Sequence, residues 1–128
     1  MHRVIICGDR HWRGSEPIER ELKARKSKYG LDLLVACGLC PGDDEESSAD
    51  MLAWKIARKL GIDRAGFPAN WTGRHGKSGG PIRNIIMLEI IKPHEVIAFH
   101  EDIGNSRGTK HMLGIAQKAG VKALLFKN

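Results

Sequence analysis

A chain of 128 residues and 14.2 kDa has room for one domain, and 41% hydrophobic with 28% charged residues is ordinary usage that excludes general disorder. No apolar run approaches the ~20 residues that cross a bilayer, and Val4-Ile5-Ile6-Cys7 is too short a core for a signal peptide, so a cytoplasmic protein without membrane contact is expected. Lys and Arg number 21 against 15 Asp and Glu, and this balance of +6 favours an anionic partner, while three cysteines make no disulfide framework.

Arg3-Val4-Ile5-Ile6-Cys7 is short, β-branched and closed by Gly8, the pattern of a fully buried strand. Ser15-Glu16-Pro17 predicts a helix start, with Ser15 as cap, Ile18 and Leu22 on one face and Gly30 as the stop. Leu31 to Cys37 reads as a second strand ending in Gly38. A polar loop then runs to Ser48, and Met51, Leu52, Ile56 and Leu60 mark a helix closed by Gly61. Arg64 to Pro68 is a weak third strand. After a glycine-rich basic loop over 70–81, a helix is expected from about Ile82 to Ile91, stopped by Pro93. Glu95 to Phe99 is the fourth strand. The turn Gly104-Asn105-Ser106-Arg107-Gly108-Thr109 leads into a helix with Met112, Leu113, Ala116 and Ala119 inward and Gly120 at its end, and Val121 to Phe126 is the last strand.

Strict alternation of apolar strands with helices predicts an α/β fold: one Rossmann-like, three-layer domain over residues 1–128 with a mainly parallel five-stranded sheet. Such sheets bind ligands beyond the carboxyl ends of their strands, where strand order reverses. The glycines and arginines gather in the loops at that edge, beside helix N-termini, which suits phosphate. In the 104–109 turn, Arg107 supplies charge and Thr109 is placed to cap the helix or meet a phosphate oxygen.

Other constellations carry less. Trp71-Thr72-Gly73-Arg74-His75-Gly76-Lys77-Ser78 has Trp71 where a P-loop needs its first glycine, and reads as a basic loop. Cys37-Gly38-Leu39-Cys40 has no second ligand pair for zinc, so no metal site is expected, and Asp43-Asp44-Glu45-Glu46 reads as a solvated loop tip. Nucleic acid is not expected as a partner, because the chain has only seven Phe, Trp and Tyr, few of them at the proposed edge.

The chain resembles the SLOG superfamily and, within it, the YspA-like proteins. Arg3 to Arg10 looks like that family's opening strand with a G-x-R signature at Gly8-Asp9-Arg10. Gly66-Phe67-Pro68-Ala69-Asn70-Trp71 and Gly76-Lys77-Ser78-Gly79-Gly80-Pro81-Ile82-Arg83-Asn84, with Met87, look like its most distinctive stretch. Val96 to Phe99 followed by Gly104-x-x-Arg107-Gly108-Thr109 looks like its second glycine motif.

The resemblance implies a Rossmann-like domain that binds nucleotides or nucleotide-derived molecules, with relatives that include the lonely-guy phosphoribohydrolases and DprA, and many members carried by phages. Two departures stand out. Met112 occupies the position of the hydrolases' catalytic Glu, and an acidic insertion precedes Ala49-Asp50, where Asp50 matches the family's Asp. The expected ligand is therefore a nucleotide-derived small molecule, bound without hydrolysis and without a cofactor. Arg10, Arg83, Arg107 and the amides near Gly104, Gly108 and Thr109 hold its phosphates, Gly8, Lys77, Asn105 and Ser106 belong to the same binding site, Asp50 accepts from ribose, and Asn84 or Trp71 reads the base or packs against it. The alternative is an enzyme cleaving an N-glycosidic bond, with Asp50 or Glu101 as its carboxylate. A homo-oligomer, dimer or larger, is also expected.

Overall fold

The computed structural model describes residues 1–40, 48–68 and 79–127. The elements follow in the order β1 (His2–Gly8), α1 (Ser15–Tyr29), β2 (Leu33–Cys37), α2 (Ala49–Lys59), β3 (Asp63–Gly66), α3 (Gly79–Ile91), β4 (Glu95–Phe99), a short 3-10 turn (Ile103–Asn105), α4 (Gly108–Lys118) and β5 (Lys122–Phe126). All four strand pairings are parallel, in the order β3-β2-β1-β4-β5. The chain builds outward from β1 to β3, then crosses back over β1 to start β4. The reversal of direction therefore lies between β1 and β4, where Gly8 pairs with Phe99.

The pleat divides the buried strand residues between two cores. Val4 and Ile6 of β1 and Phe99 of β4 face α1 and α2, where they meet Ile18, Leu22, Ala53 and Ile56. Ile5 and Val96 face α3 and α4, where they meet Met87, Ile91, Met112 and Ala116. The α/β reading with helices on both faces of one sheet stands, and the sheet is parallel throughout.

Local differences have physical reasons. Ser15 is the first residue of α1, and Gly14 precedes it without a side-chain cap. Leu31 lies outside β2 and is 86% exposed. The buried face of α2 is made of Ala49, Ala53, Ile56 and Ala57 beside Asp50, while Leu52 and Leu60 are half-buried, because small residues let this helix lie close against the sheet. α3 begins at Gly79, three residues before Ile82. Ala119 is exposed at the end of α4. Gly30, Gly61 and Gly120 adopt φ of 60°, 70° and 75° and end their helices as expected.

The amino edge of the sheet is closed by a charged cluster. Glu95, at the start of β4, accepts from Arg25 Nε (3.0 Å), Arg25 Nη2 (2.8 Å) and His2 Nε2 (2.6 Å). Arg25 also reaches Glu21, and the His2 ring stacks on Tyr29 at 3.9 Å. Burial alone would raise the Glu95 carboxyl, but the hydrogen bonds and charges of Arg25 and His2 hold it down at about 2.

Candidate functional site

The carboxyl edge is built around the first turn of α2. Ser48 caps this helix by accepting the Met51 N–H at 3.1 Å, and its hydroxyl donates to Cys40 O at 2.6 Å. Asp50, two residues on, accepts the Cys40 N–H on Oδ2 at 3.2 Å. Its other oxygen, Oδ1, is buried and has no hydrogen-bond partner among the described residues, although the residue is only 5% exposed. A buried carboxylate oxygen without a donor is costly to leave so. Burial pushes the Asp50 carboxyl up to about 6, against the opposing pull of the Arg83 guanidinium and the Cys40 N–H.

Arg83 sits in the first turns of α3 and is held in place by the ends of two strands. Nη1 donates to Gly38 O at 2.6 Å and to Phe67 O at 3.3 Å, and Nε donates to Asn84 Oδ1 at 2.9 Å. Gly38 must be glycine for this, since a Cβ there would lie 2.3 Å from Arg83 Nη1. The guanidinium is thus rigid, with Nη2 left over by these bonds. Arg10 comes to the same corner: its charge and a side-chain hydrogen bond act on Cys40, which also feels Arg83 and Asp50. Arg10, Arg83 and Asp50 therefore form one polar corner at the carboxyl ends of β1 and β2.

The remaining residues divide. Asn84 is buried, and its amide nitrogen contacts Gly108 O and His111 Nδ1, both at 3.2 Å, while its oxygen takes the Arg83 N–H. Its place is to tie Arg83 to the start of α4, with only a lone pair of Oδ1 left for a base. Arg107 is exposed at the head of α4, and no contact joins its side chain to Arg10 or Arg83 among the described residues. It reaches the corner only through its neighbour Gly108. Thr109 does not cap α4; Ser106 Oγ accepts the Thr109 N–H at 3.1 Å, and Thr109 is itself buried. Asn105 donates to Asp102 Oδ2 at 2.5 Å and so shapes its own turn. Among the described residues a Cβ at Gly104 would meet nothing nearer than 3.9 Å and one at Gly108 nothing within 4 Å, so these residues leave both backbones open.

Gly8 is different. A Cβ there would lie 2.3 Å from Phe99 O and 2.6 Å from the Ala49 Cβ, so the protein's own close packing at the strand reversal demands the glycine. Trp71, Lys77 and the acidic run 43–46 lie outside the described residues. Cys7, Cys37 and Cys40 are free thiols, each pushed up chiefly by burial and then by the Asp50 charge, which keeps them protonated and unreactive.

No family model matches the chain. The Gene 61 protein of Mycobacterium phage D29 is 33% identical to it over 129 residues, covering 98% of this chain and 97% of that protein. The chain belongs to the Gene 61 protein family.

In this member of the Gene 61 family, the corner contains features that the sequence does not display. Ser48 and the Cys40 backbone lie outside the expected site, and their only signal is a Ser two residues before an Asp at a helix start. Met112, at the position where the resemblance would put a catalytic Glu, is fully buried beside Ile5, Met87 and Ala116. A carboxylate at this place would enter the core. Trp12, in the loop after β1, is core as well: it donates to Gly14 O at 2.6 Å and meets Phe99 edge-on at 5.8 Å.

Proposed function

We propose that the chain is a cytoplasmic binder of a nucleotide or nucleotide-derived molecule, of the SLOG type, that acts without hydrolysing its ligand. The observation that carries this reading is Asp50 Oδ1: a buried acceptor with no donor among the described residues, near Arg83 and, across Cys40, Arg10, at the reversal of a parallel sheet. A ribose hydroxyl supplies the missing donor. Arg10, Nη2 of Arg83 and the amides that α4 leaves unsatisfied at its start take the phosphates. The open backbones at Gly104 and Gly108 allow a close approach. A phage-borne binder of this kind would act by sequestering a host signalling nucleotide.

Mass spectrometry of small molecules released from the purified, denatured protein tests the reading, followed by calorimetry with the compound found. A nucleotide-derived ligand whose affinity changes little with salt is the expected result. No such ligand, or oligonucleotide binding that falls steeply with salt, overturns it.

One observation favours a second reading, an enzyme that cleaves an N-glycosidic bond. A carboxyl at about 6 is in the range where an acid or base works near neutral pH. Chromatography of nucleoside monophosphates after incubation distinguishes the two: free base released by clean protein, and lost in Asp50→Asn, establishes the enzyme.

A further inference from the structure

The outer face of α3 is the least water-adapted surface among the described residues. Its inner face, Asn84, Met87 and Ile91, packs onto the sheet and α4. Its outer face shows Ile85 and Ile86, each 43% exposed, and Ile90, 63% exposed. Between Arg83 and Ile91 the helix carries one further charge, Glu89. α1 is built differently: a 15-residue helix with two buried positions, Ile18 and Leu22, and an outer surface of Glu, Arg and Lys. A helix that is apolar all round is one that something covers.

The apolar face continues into a groove of about 380 Å³ lined by Ile85, Leu88 and Glu89 of α3 and by Ile115, Lys118 and Ala119 at the end of α4. Its two charges are of opposite sign, Glu89 on one helix and Lys118 on the other, and no ion pair joins them to each other or to another side chain among the described residues. We infer that this face is the interface between two copies of the chain, packed about a two-fold axis so that Ile85, Ile86 and Ile90 cover the opposite groove and Glu89 of each copy meets Lys118 of the other. A two-fold contact is self-complementary, so each residue pair occurs twice. A surface carrying one acid and one base at an apolar groove satisfies that symmetry with its own charges.

The inference names the face of the expected homo-oligomer and is independent of the nucleotide reading. It also has a consequence for it, because α3 and α4 run from the polar corner, at Arg83 and Gly108, to this groove.

Sedimentation and light scattering of the full chain over a hundredfold range of concentration provide the test, with circular dichroism to confirm that each variant is folded. The expected mass is twice 14.2 kDa, and Ile85→Lys gives a monomer. Glu89→Lys alone and Lys118→Glu alone each weaken the dimer at least tenfold, since each brings like charges together twice. The double variant E89K/K118E returns to within about threefold of the original affinity. A folded chain that is monomeric at every concentration overturns the inference, as does an oligomer indifferent to Ile85→Lys and to both single reversals. Loss in the single variants without recovery in the double variant rejects the two-fold charge pairing.

Discussion

Two buried carboxylates stand at opposite edges of the same sheet, and they are displaced in opposite directions. Glu95, at the amino edge, has both oxygens filled by Arg25 and His2 and is held at about 2. Asp50, at the carboxyl edge, has one oxygen filled by a single backbone N–H, the other without a donor among the described residues, and is pushed up to about 6. By surface exposure the two residues are close, 6% and 5%, but Asp50 lies deeper in the protein, so burial weighs more on its carboxyl than on that of Glu95. The supply of donors differs as well. An acid whose donors come from within the chain contributes to the fold, and an acid left short of donors costs it stability.

The largest effect that can break this comparison is at Glu95. Glu95→Ala takes two hydrogen bonds from the half-buried Arg25, leaving it Glu21, and one from His2, and we expect a loss of about 3 kcal/mol of stability in urea unfolding. A loss below about 1 kcal/mol, the range of an exposed ion pair, would mean that the amino-edge cluster is only surface decoration.

At Asp50 the sign reverses. A carboxyl raised from 3.8 to about 6 costs the folded, ionised state on the order of 3 kcal/mol at pH 7. Asp50→Asn keeps an acceptor for Cys40, so it is expected to stabilise the ligand-free protein by up to that amount while removing nucleotide affinity. The pH dependence follows from the same shift. The native state holds the Asp50 proton between pH 3.8 and about 6 and the unfolded chain does not, so this contribution is full below 3.8 and is lost as pH rises through 6. Glu95 acts the other way: its contribution is present above 4.5 and is lost as pH falls towards about 2. Between them the two groups place a stability maximum near pH 4–5, to be followed by urea unfolding across that range, and Asp50→Asn removes its alkaline side.

Arg83 sharpens the comparison at the ligand. Arg83→Ala is expected to weaken nucleotide binding at least tenfold, corresponding to about 1.5–3 kcal/mol for a charge-assisted contact. The carbonyls of Gly38 and Phe67 also lose their donor, so the melting temperature falls modestly. Unchanged affinity by calorimetry would leave Arg83 as a clamp on the strand ends and nothing more. The smallest effect on the fold is at Gly108, where a Cβ meets nothing within 4 Å. Gly108→Ala should leave stability unchanged or raise it by about 0.4–1 kcal/mol, and should still reduce affinity if a phosphate lies against that backbone.

The strands and their order of appearance were legible in the sequence because Val4 to Cys7 and Val96 to Phe99 are unbroken apolar runs. The edge holding the site was legible for a topological reason, since parallel strands bring all their following loops to one side. Which residues meet along that edge was not. Five strands about 4.8 Å apart make an edge about 19 Å long, so sharing it did not bring Arg107 to Arg10 and Arg83. The grip on Arg83 is made by carbonyls 45 and 16 residues away, and carbonyls have no sequence signature. The inward face of α2 was hidden because alanine is a weak hydrophobic signal, although it is the residue that lets a helix approach closely. Glu95 looks like a solvated charge at a strand start, and only Arg25, 70 residues away, makes it internal.

The hydrogen bonds of Cys40 with Ser48 and Asp50 have a consequence for how this protein can change. Cys40 offers its carbonyl to Ser48 and its N–H to Asp50, so the chain is fastened to itself on either side of residues 41–47. The sheet and α2 are thereby insulated from whatever lies between those two points. Such an arrangement is a clasp: the sequence and length between its two ends can change without redesigning the fold. Divergence among relatives is then expected to concentrate there, with Ser48 and Asp50 kept as the clasp.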